Sequence, residues 1–332
     1  MARWKELPLD VVYAISQCLE SYDDYVRFRA VCVSWKSAVP KSPTRLLKQP
    51  VPLLMLPFDD ERETSRSFYG ILEDKVYQIE LPETRGKYFC GSSDGWVVIV
   101  EKSPALYLFN PLTKVQISFL PPVSSFPNVE YYPDNLDEEY ALLTPSGHIC
   151  AYYSHAEMQQ SFIHKMVLSH TPTSSSNCLA AAIYGYYQLA YCRCKDQKWT
   201  AFDKTKHGFE DVIFHGGKID AVMQSGPLMV AETDSFPLEF VPVPVNLSNI
   251  SEFSWKYLVG SSDGLMLVSR FLHSGPYVYK TVKFEMHKLE SINGNLSWSK
   301  VTSLGDNVIF LGDNSPVMVS SQYFKRFKGT CI

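Results

Sequence analysis

The chain has 332 residues, 45% hydrophobic and 20% charged, with a formal net charge of −4. That length holds about two ordinary domains and a sizeable core, while the slight acidity lacks the basic footprint that nucleic-acid binding requires. No run approaches the roughly 20 apolar residues of a membrane-spanning helix, and the amino-terminal stretch has neither the apolar core nor the small-residue cleavage site of a secretory signal, so neither nucleic acid nor a membrane is expected as a partner.

Residues 3–43 read as three short helices. Leu9, Val12, Ser16 and Leu19 share one face of a 3.6-residue period, with Val11, Ile15 and Cys18 beside them, and Pro8 stands where a first turn tolerates it. Ser21 followed by Asp24 resembles a capping box that starts a second helix through Tyr25, Phe28 and Arg29. A third run, Val31 to Val39, stops at Pro40 and Pro43. Three such helices bury too little surface to be secure alone. Leu7, Ile15, Leu19, Val31 and Trp35 are therefore expected to expose an apolar stripe until a partner covers it.

After a linker at 44–52 the pattern changes. From "PLLML" at 52–56 to "PVMVSS" at 316–321 the chain shows about twenty short apolar or alternating runs broken by Gly, Pro, Asn and Asp, and no stretch reads as an amphipathic helix. The 14% aromatic content, with 20 Tyr and 19 Phe, leans the same way. So many strands exceed one sandwich.

The pentapeptide "GSSDG" occurs at Gly91–Gly95 and again at Gly260–Gly264, 169 residues on. A quarter of that separation is about 42 residues, within the range of a four-stranded propeller blade, which puts intermediate blade starts near Ala141, Ile183 and Phe214 and a further one near Ile309. Each blade stacks on its neighbours to bury its faces. Asp94-Gly95 and Asp263-Gly264 are then the same tight turn in blades four steps apart, Gly taking positive φ and Asp bonding the backbone. A phosphate loop is the other reading, but the Lys-Ser/Thr and helix of a P-loop do not follow. The expected fold is an all-α segment followed by an all-β propeller at 53–332, six-bladed with seven as the alternative.

Trp4, Leu7, Pro8, Ile15, Leu19, Arg27, Phe28, Arg29, Val31, Cys32, Trp35 and Ala38 carry a resemblance to the F-box, in the stretches "WKELPLDVVYAISQCL" and "YVRFRAVCVSWKSAV". The remainder, with "GSSDGW", "LFNPLT" and "VIFLGDN" in that order, resembles the plant F-box proteins that carry the domain of unknown function 295, a kelch-related propeller. Family members usually run past the "GTCI" at 329–332 into a further strand, so the last blade is expected to be incompletely closed. The resemblance implies the substrate receptor of a Skp-cullin-F-box ubiquitin ligase, with Leu7, Pro8, Ile15, Leu19, Val31, Cys32 and Trp35 contacting the Skp adaptor and the propeller binding a protein target. It implies no bond chemistry, no cofactor and no metal, and work in the nucleus and/or cytoplasm.

Other readings stay open on the residues alone. Eight cysteines at irregular spacing suit a reducing compartment. Cys192 and Cys194, two apart in a strand run, read as same-face packing residues rather than as zinc ligands. A propeller hydrolase would need convergent carboxylates, yet Asp94 and Asp263 lie inside the turn motif, and no G-x-S-x-G or H-E-x-x-H pattern is present. A propeller scaffold without a ubiquitin role uses the same surfaces. For target recognition the long polar segment Pro122–Tyr140 stands out: Phe126, Tyr131 and Tyr132 are candidate aromatic anchors, and Asp134, Asp137, Glu138 and Glu139 favour a basic partner.

Overall fold

The computed structural model describes residues 4–19, 22–40, 52–57, 64–71, 74–101, 105–144, 146–170, 178–203, 208–246, 254–274, 279–292, 295–312 and 314–321. The expected Ser21 cap and nearly all of the linker lie outside them. The chain divides into two units, Met1–Leu56 with Phe68–Tyr77, and Pro57–Ser67 with Gln78–Ile332.

Three helices lead: α1 (Leu9–Ser16), α2 (Tyr22–Arg29) and α3 (Val33–Ala38). Pro8, with φ −53°, immediately precedes α1, where its ring restricts nothing the helix needs and its carbonyl accepts the Val12 N–H. Val12, Tyr25, Trp35 and Val39 form a small core, and Leu7, Leu19, Phe28, Cys32 and Ala38 pack against it. The Phe28 and Trp35 rings lie 4.3 Å apart, and the Tyr25 hydroxyl donates to Pro40 O at 2.8 Å. Trp35, expected on an exposed stripe, is only 7% exposed; the trio is too small to bury anything but its largest side chains, and it buries those first.

The strands are β1 (Leu53–Met55), β2 (Ser65–Gly70), β3 (Lys75–Glu80), β4 (Tyr88–Ser93), β5 (Trp96–Val100), β6 (Leu106–Asn110), β7 (Val115–Ile117), β8 (Val129–Tyr131), β9 (Tyr140–Leu143) and β10 (Ile149–Tyr153). After the short helix α4 (His155–Gln160) come β11 (Ile163–Leu168), β12 (Leu179–Tyr184), β13 (Gln188–Arg193), β14 (Thr200–Ala201), β15 (Phe209–His215), β16 (Lys218–Met223), β17 (Leu228–Glu232) and β18 (Val241–Val243). The last are β19 (Val245–Asn246), β20 (Trp255–Ser261), β21 (Gly264–Ser274), β22 (Tyr279–Ile292), β23 (Asn295–Val301), β24 (Asn307–Phe310) and β25 (Val317–Ser320). Most are antiparallel to their neighbours in sequence, as in β4-β5-β6-β7, β11-β12-β13-β14 and β15-β16-β17-β18. These curled sheets form a propeller.

Within the second unit a strand at the edge of one sheet meets a strand at the edge of the next. β4 pairs parallel with β11 through Gly91 and Met166, β11 contacts β15, β15 contacts β20, and β20 contacts β25. Ser315 Oγ then donates to Ser92 O at 2.9 Å, returning the last sheet to the first. Residues 322–332, on which the expected incomplete closure rests, lie outside the described residues. The inner strands repeat one irregularity. Register shifts at Phe89/Gly91 in β4, at Ile163/Lys165 in β11 and at Phe209/Asp211 in β15, so Cys90, His164 and Glu210 are bulged residues at equivalent places.

This arrangement corrects the expected spacing. Lys165 and Asp211, Glu210 and Lys256, and His215 and Ser261 are bonded pairs on successive inner strands, each 46 residues apart. The step from β4 to β11 is longer, because the sheet β10-β9-β8 and α4 intervene in sequence without standing between those strands. The two "GSSDG" copies are therefore three inner strands apart, not four. Ala141 lies on β9 of the inserted sheet, and Ile183 lies on β12, a second strand. The helix α4 also corrects the all-strand reading: Ser154 caps it, its side chain accepting from Glu157 N while Glu157 reaches back to the Ser154 N–H.

The repeated pentapeptide does not form one turn twice. In the first copy Ser93 faces Trp96, and Asp94 (φ 46°) and Gly95 (φ 80°) make the turn. In the second Ser261 faces Gly264 (φ 120°), so Ser262 and Asp263 turn, and Asp263 N donates to Ser261 Oγ. The bulge at Cys90 shifts β4 relative to β5, whereas β20 keeps register throughout. What both copies share is their first glycine at a crowded point between sheets. A Cβ on Gly91 would overlap the Met166 carbonyl, and one on Gly260 would lie 2.7 Å from His215 Cδ2.

Candidate protein-interaction sites

The helical trio presents apolar side chains that its small core leaves outside. Leu9, Val11 and Tyr13 on α1, Val26 on α2, and Val31 and Val33 flanking and opening α3 are all exposed, Val33 by 84%. Among the residues expected to contact the adaptor, Val31 and Pro8 are exposed, Leu7, Ile15, Leu19 and Cys32 are half-buried, and Trp35 is interior. Trp35 therefore supports the face from beneath. The exposed positions Leu9, Val11 and Val33 were not singled out, because the helical period ranks them with the core until three helices prove too few to cover them.

The inner strands hold buried charges in pairs. The Asp211 carboxylate accepts from Lys165 Nζ on β11, from Val212 N at 2.8 Å and from Leu258 N on β20 at 2.6 Å, so one side chain ties three sheets together. Lys256 on β20 faces Glu210 at 3.5 Å and donates to Ser254 O. Asp220 lies 3.8 Å from His215 Nδ1, and burial pushes its carboxyl up to about 6 against the pull of His215 and Lys218. These charges satisfy one another in pairs. Among the described residues no group of three or more His, Cys, Asp or Glu is placed to hold a metal ion. Cys192 and Cys194 are buried in the same core cluster, as packing residues are.

The profile of the KIB1-4 beta-propeller family matches residues 68–332, and that of the F-box domain matches residues 4–46. The chain belongs to the KIB1-4 beta-propeller family. It is similar to F-box protein At2g17036 of Arabidopsis thaliana, 27% identical over 97% of this chain and 80% of that protein. It is also similar to F-box protein SKIP23 of the same plant, 26% identical over 97% of this chain and 81% of that protein. This is a plant F-box protein with a propeller, as the resemblance implied.

In this KIB1-4 propeller the segment expected to recognise a target divides into an interior and an exterior part. Phe126 is a correction: it is 2% exposed, stacked on Trp199 at 4.5 Å and packed on Phe162 and Tyr184. A short 3-10 turn at Val123–Ser125 drops it into the core, where the Trp199 indole donates to Pro121 O. Tyr131 stays exposed beside Tyr140, and the Tyr132 hydroxyl donates to Glu130. Asp134, Asp137 and Glu138 are exposed at the loop tip, with Asp137 at φ 63°. Glu139 is buried instead: it accepts from His155 Nδ1 (3.0 Å) and His155 N (3.1 Å), and these bonds hold its carboxyl below the usual range. Sequence reading missed Tyr152 and Tyr186. For Tyr152 the signal available was charge, since the stretch between Lys114 and Lys165 that contains it has no Lys or Arg.

Proposed function

We propose that this chain is the substrate receptor of a Skp-cullin-F-box ubiquitin ligase, working in the nucleus and/or cytoplasm. The observation that carries the reading is the F-box match at residues 4–46 on helices whose Leu9, Val11, Val26, Val31 and Val33 remain uncovered. An apolar face of that kind is what a partner helix covers. The propeller then holds a protein target, and the receptor itself makes and breaks no bond. Its contribution is proximity: a tethered target presents its lysines to a ubiquitin-charged conjugating enzyme at an effective concentration of about millimolar.

Co-expression with a Skp-type adaptor tests this. The full chain should co-purify with the adaptor in equimolar amount, and Val31→Asp/Val33→Asp should abolish capture, because two charges at the centre of an apolar contact cost about 2 kcal/mol or more each. Both positions are surface ones, so the variant should melt with the parent. A folded variant that still captures the adaptor, or a parent that does not, removes the proposal.

A further inference from the structure

Between Lys114 and Lys165 the chain has no Lys or Arg and six Asp or Glu, in a protein whose whole net charge is −4. This stretch holds the inserted sheet β10-β9-β8 and the cap of α4, the part of the second unit that lies outside the succession of inner strands. The charge imbalance and the departure from the repeat therefore coincide in one element. Neither is needed to close the propeller.

Register decides which side chains share a face. Glu130 and Tyr152 both stand opposite Ala141 on the central strand β9, so they flank it on one surface of the sheet, while Tyr131, Tyr140 and Tyr153 occupy the other. Tyr140 and Leu142 are buried in the main core, with Val129, Ala151 and Tyr153 packed against it. The Glu130 face consequently turns outward. Tyr132 adds its hydroxyl to the Glu130 carboxylate. Tyr152 is exposed there. The β12–β13 hairpin extends the same surface, since the hydroxyl of exposed Tyr186 donates to Cys150 O at 3.3 Å. At the rim lies the loop carrying Asp134, Asp137 and Glu138, which is closed by Tyr132 N to Glu139 O (2.7 Å), Asn135 N to Tyr132 O (3.1 Å) and Glu138 N to Asn135 O (3.2 Å). The loop backbone is thus set before anything binds, which lowers the ordering required on association.

Exposed tyrosine rings beside carboxylates suit one chemistry. A guanidinium stacks on the aromatic ring and offers paired donors to a carboxylate, and an ammonium does the first part less well. We propose that the β8–β10 insert, with the Tyr186 hairpin beside it, is the docking surface for an arginine- or lysine-bearing segment of the protein that the receptor captures. The inference rests on the receptor reading above. It gives the captured partner a chemical class: a basic polypeptide segment, engaged through Glu130, Asp134, Asp137, Glu138, Tyr152 and Tyr186.

Fluorescence anisotropy with the full chain tests it, using three labelled twelve-residue peptides in which Ser alternates with Arg, with Lys or with Glu, each at two salt concentrations. The Arg peptide should bind most tightly and the Glu peptide not at all. Neutralising the insert by Glu130→Gln, Asp134→Asn, Asp137→Asn and Glu138→Gln should weaken Arg-peptide binding at least about tenfold, and Tyr152→Ala/Tyr186→Ala about fivefold with the charges intact. A control set of four exposed carboxylates elsewhere, Asp234→Asn, Glu239→Gln, Glu290→Gln and Asp306→Asn, should change it less than about twofold. Equal loss in the control set would mean diffuse attraction, and no binding by the parent, or none lost from the insert, would likewise overturn the proposal. Adaptor capture is measured on the same proteins. A parent that binds the peptide but not the adaptor sinks the ligase reading alone, whereas one that captures the adaptor and ignores the peptide sinks the docking surface alone.

Discussion

Replacing Asp211 by Ala removes the carboxylate that joins β11, β15 and β20. Its side chain and that of Lys165 are almost fully buried, so the lysine ammonium would be left in the interior without a counter-charge. Breaking a buried pair in this way costs about 3–5 kcal/mol. The Leu258 N–H, which donates to the same carboxylate at 2.6 Å, loses its acceptor and adds about 1 kcal/mol more. Domains have only about 5–15 kcal/mol in total, and at about 2–4 °C per kcal/mol for a unit of this size the melting temperature should drop by about 10–20 °C. The exposed pair Lys218–Glu232, 2.7 Å apart, is the contrast, since breaking it should cost less than about 1 kcal/mol. Urea denaturation of Asp211→Ala, Lys165→Met and the double variant Lys165→Met/Asp211→Asn gives the decisive comparison. The double variant should recover much of the loss, because it leaves no buried charge and Asn can still accept from Leu258 N. A loss under about 1.5 kcal/mol in Asp211→Ala with an unchanged denaturant slope, or no recovery in the double variant, would refute the reasoning.

Gly91→Ala should destabilise by about 3 kcal/mol, because its Cβ meets a backbone carbonyl that cannot retreat, and Gly260→Ala by less, because His215 can rotate away; equal losses in urea melts would contradict the assignment. Phe126→Ala should cost about 3–5 kcal/mol through the emptied stack on Trp199, whereas Tyr131→Ala should cost under about 1 kcal/mol in the same assay. Burial moves the ionisation of Asp220 in the fold up to about 6 from its ordinary value of 3.8. The folded state therefore holds a proton that the unfolded chain has lost across that window, and stability contributed by this group falls as pH rises from about 4 to about 6, by about 3 kcal/mol at most. Asp220→Asn should flatten that part of the stability profile, and an unchanged profile would show that another group sets it.

The helical segment was legible because Leu7-Pro8 opening a helix and "RAVCVSW" some 23 residues on are local signals. Its contact surface was less so. Whether Trp35 or Val33 lies outside depends on how many helices share the core, which a periodic pattern does not state. In the propeller, runs such as "WVVIV" and "YALL" became β5 and β9, because buried strands are continuous apolar stretches. β4 went unread: "YFCGSS" is broken by Gly91, the residue that lets β11 approach. Dividing 169 by four assumed no insertion, and only the pairing of Gly91 with Met166 reveals that β8–β10 stands aside. Phe126 looked like a loop anchor because its burial depends on Trp199, more than 70 residues away. By contrast, α4 was readable from Ser154 and Glu157 in capping-box spacing, and the inserted sheet from its lack of Lys and Arg.

Ubiquitin transfer in a reconstituted reaction tests the receptor assignment most directly. The full chain is combined with a Skp adaptor, cullin, RING protein, activating enzyme and charged conjugating enzyme, and ubiquitin on lysines of this chain or of a bound Arg-containing protein is followed with time. The account predicts transfer that requires the adaptor and disappears with Val31→Asp/Val33→Asp. A complete complex that gives no more transfer than the reaction lacking this chain would contradict it.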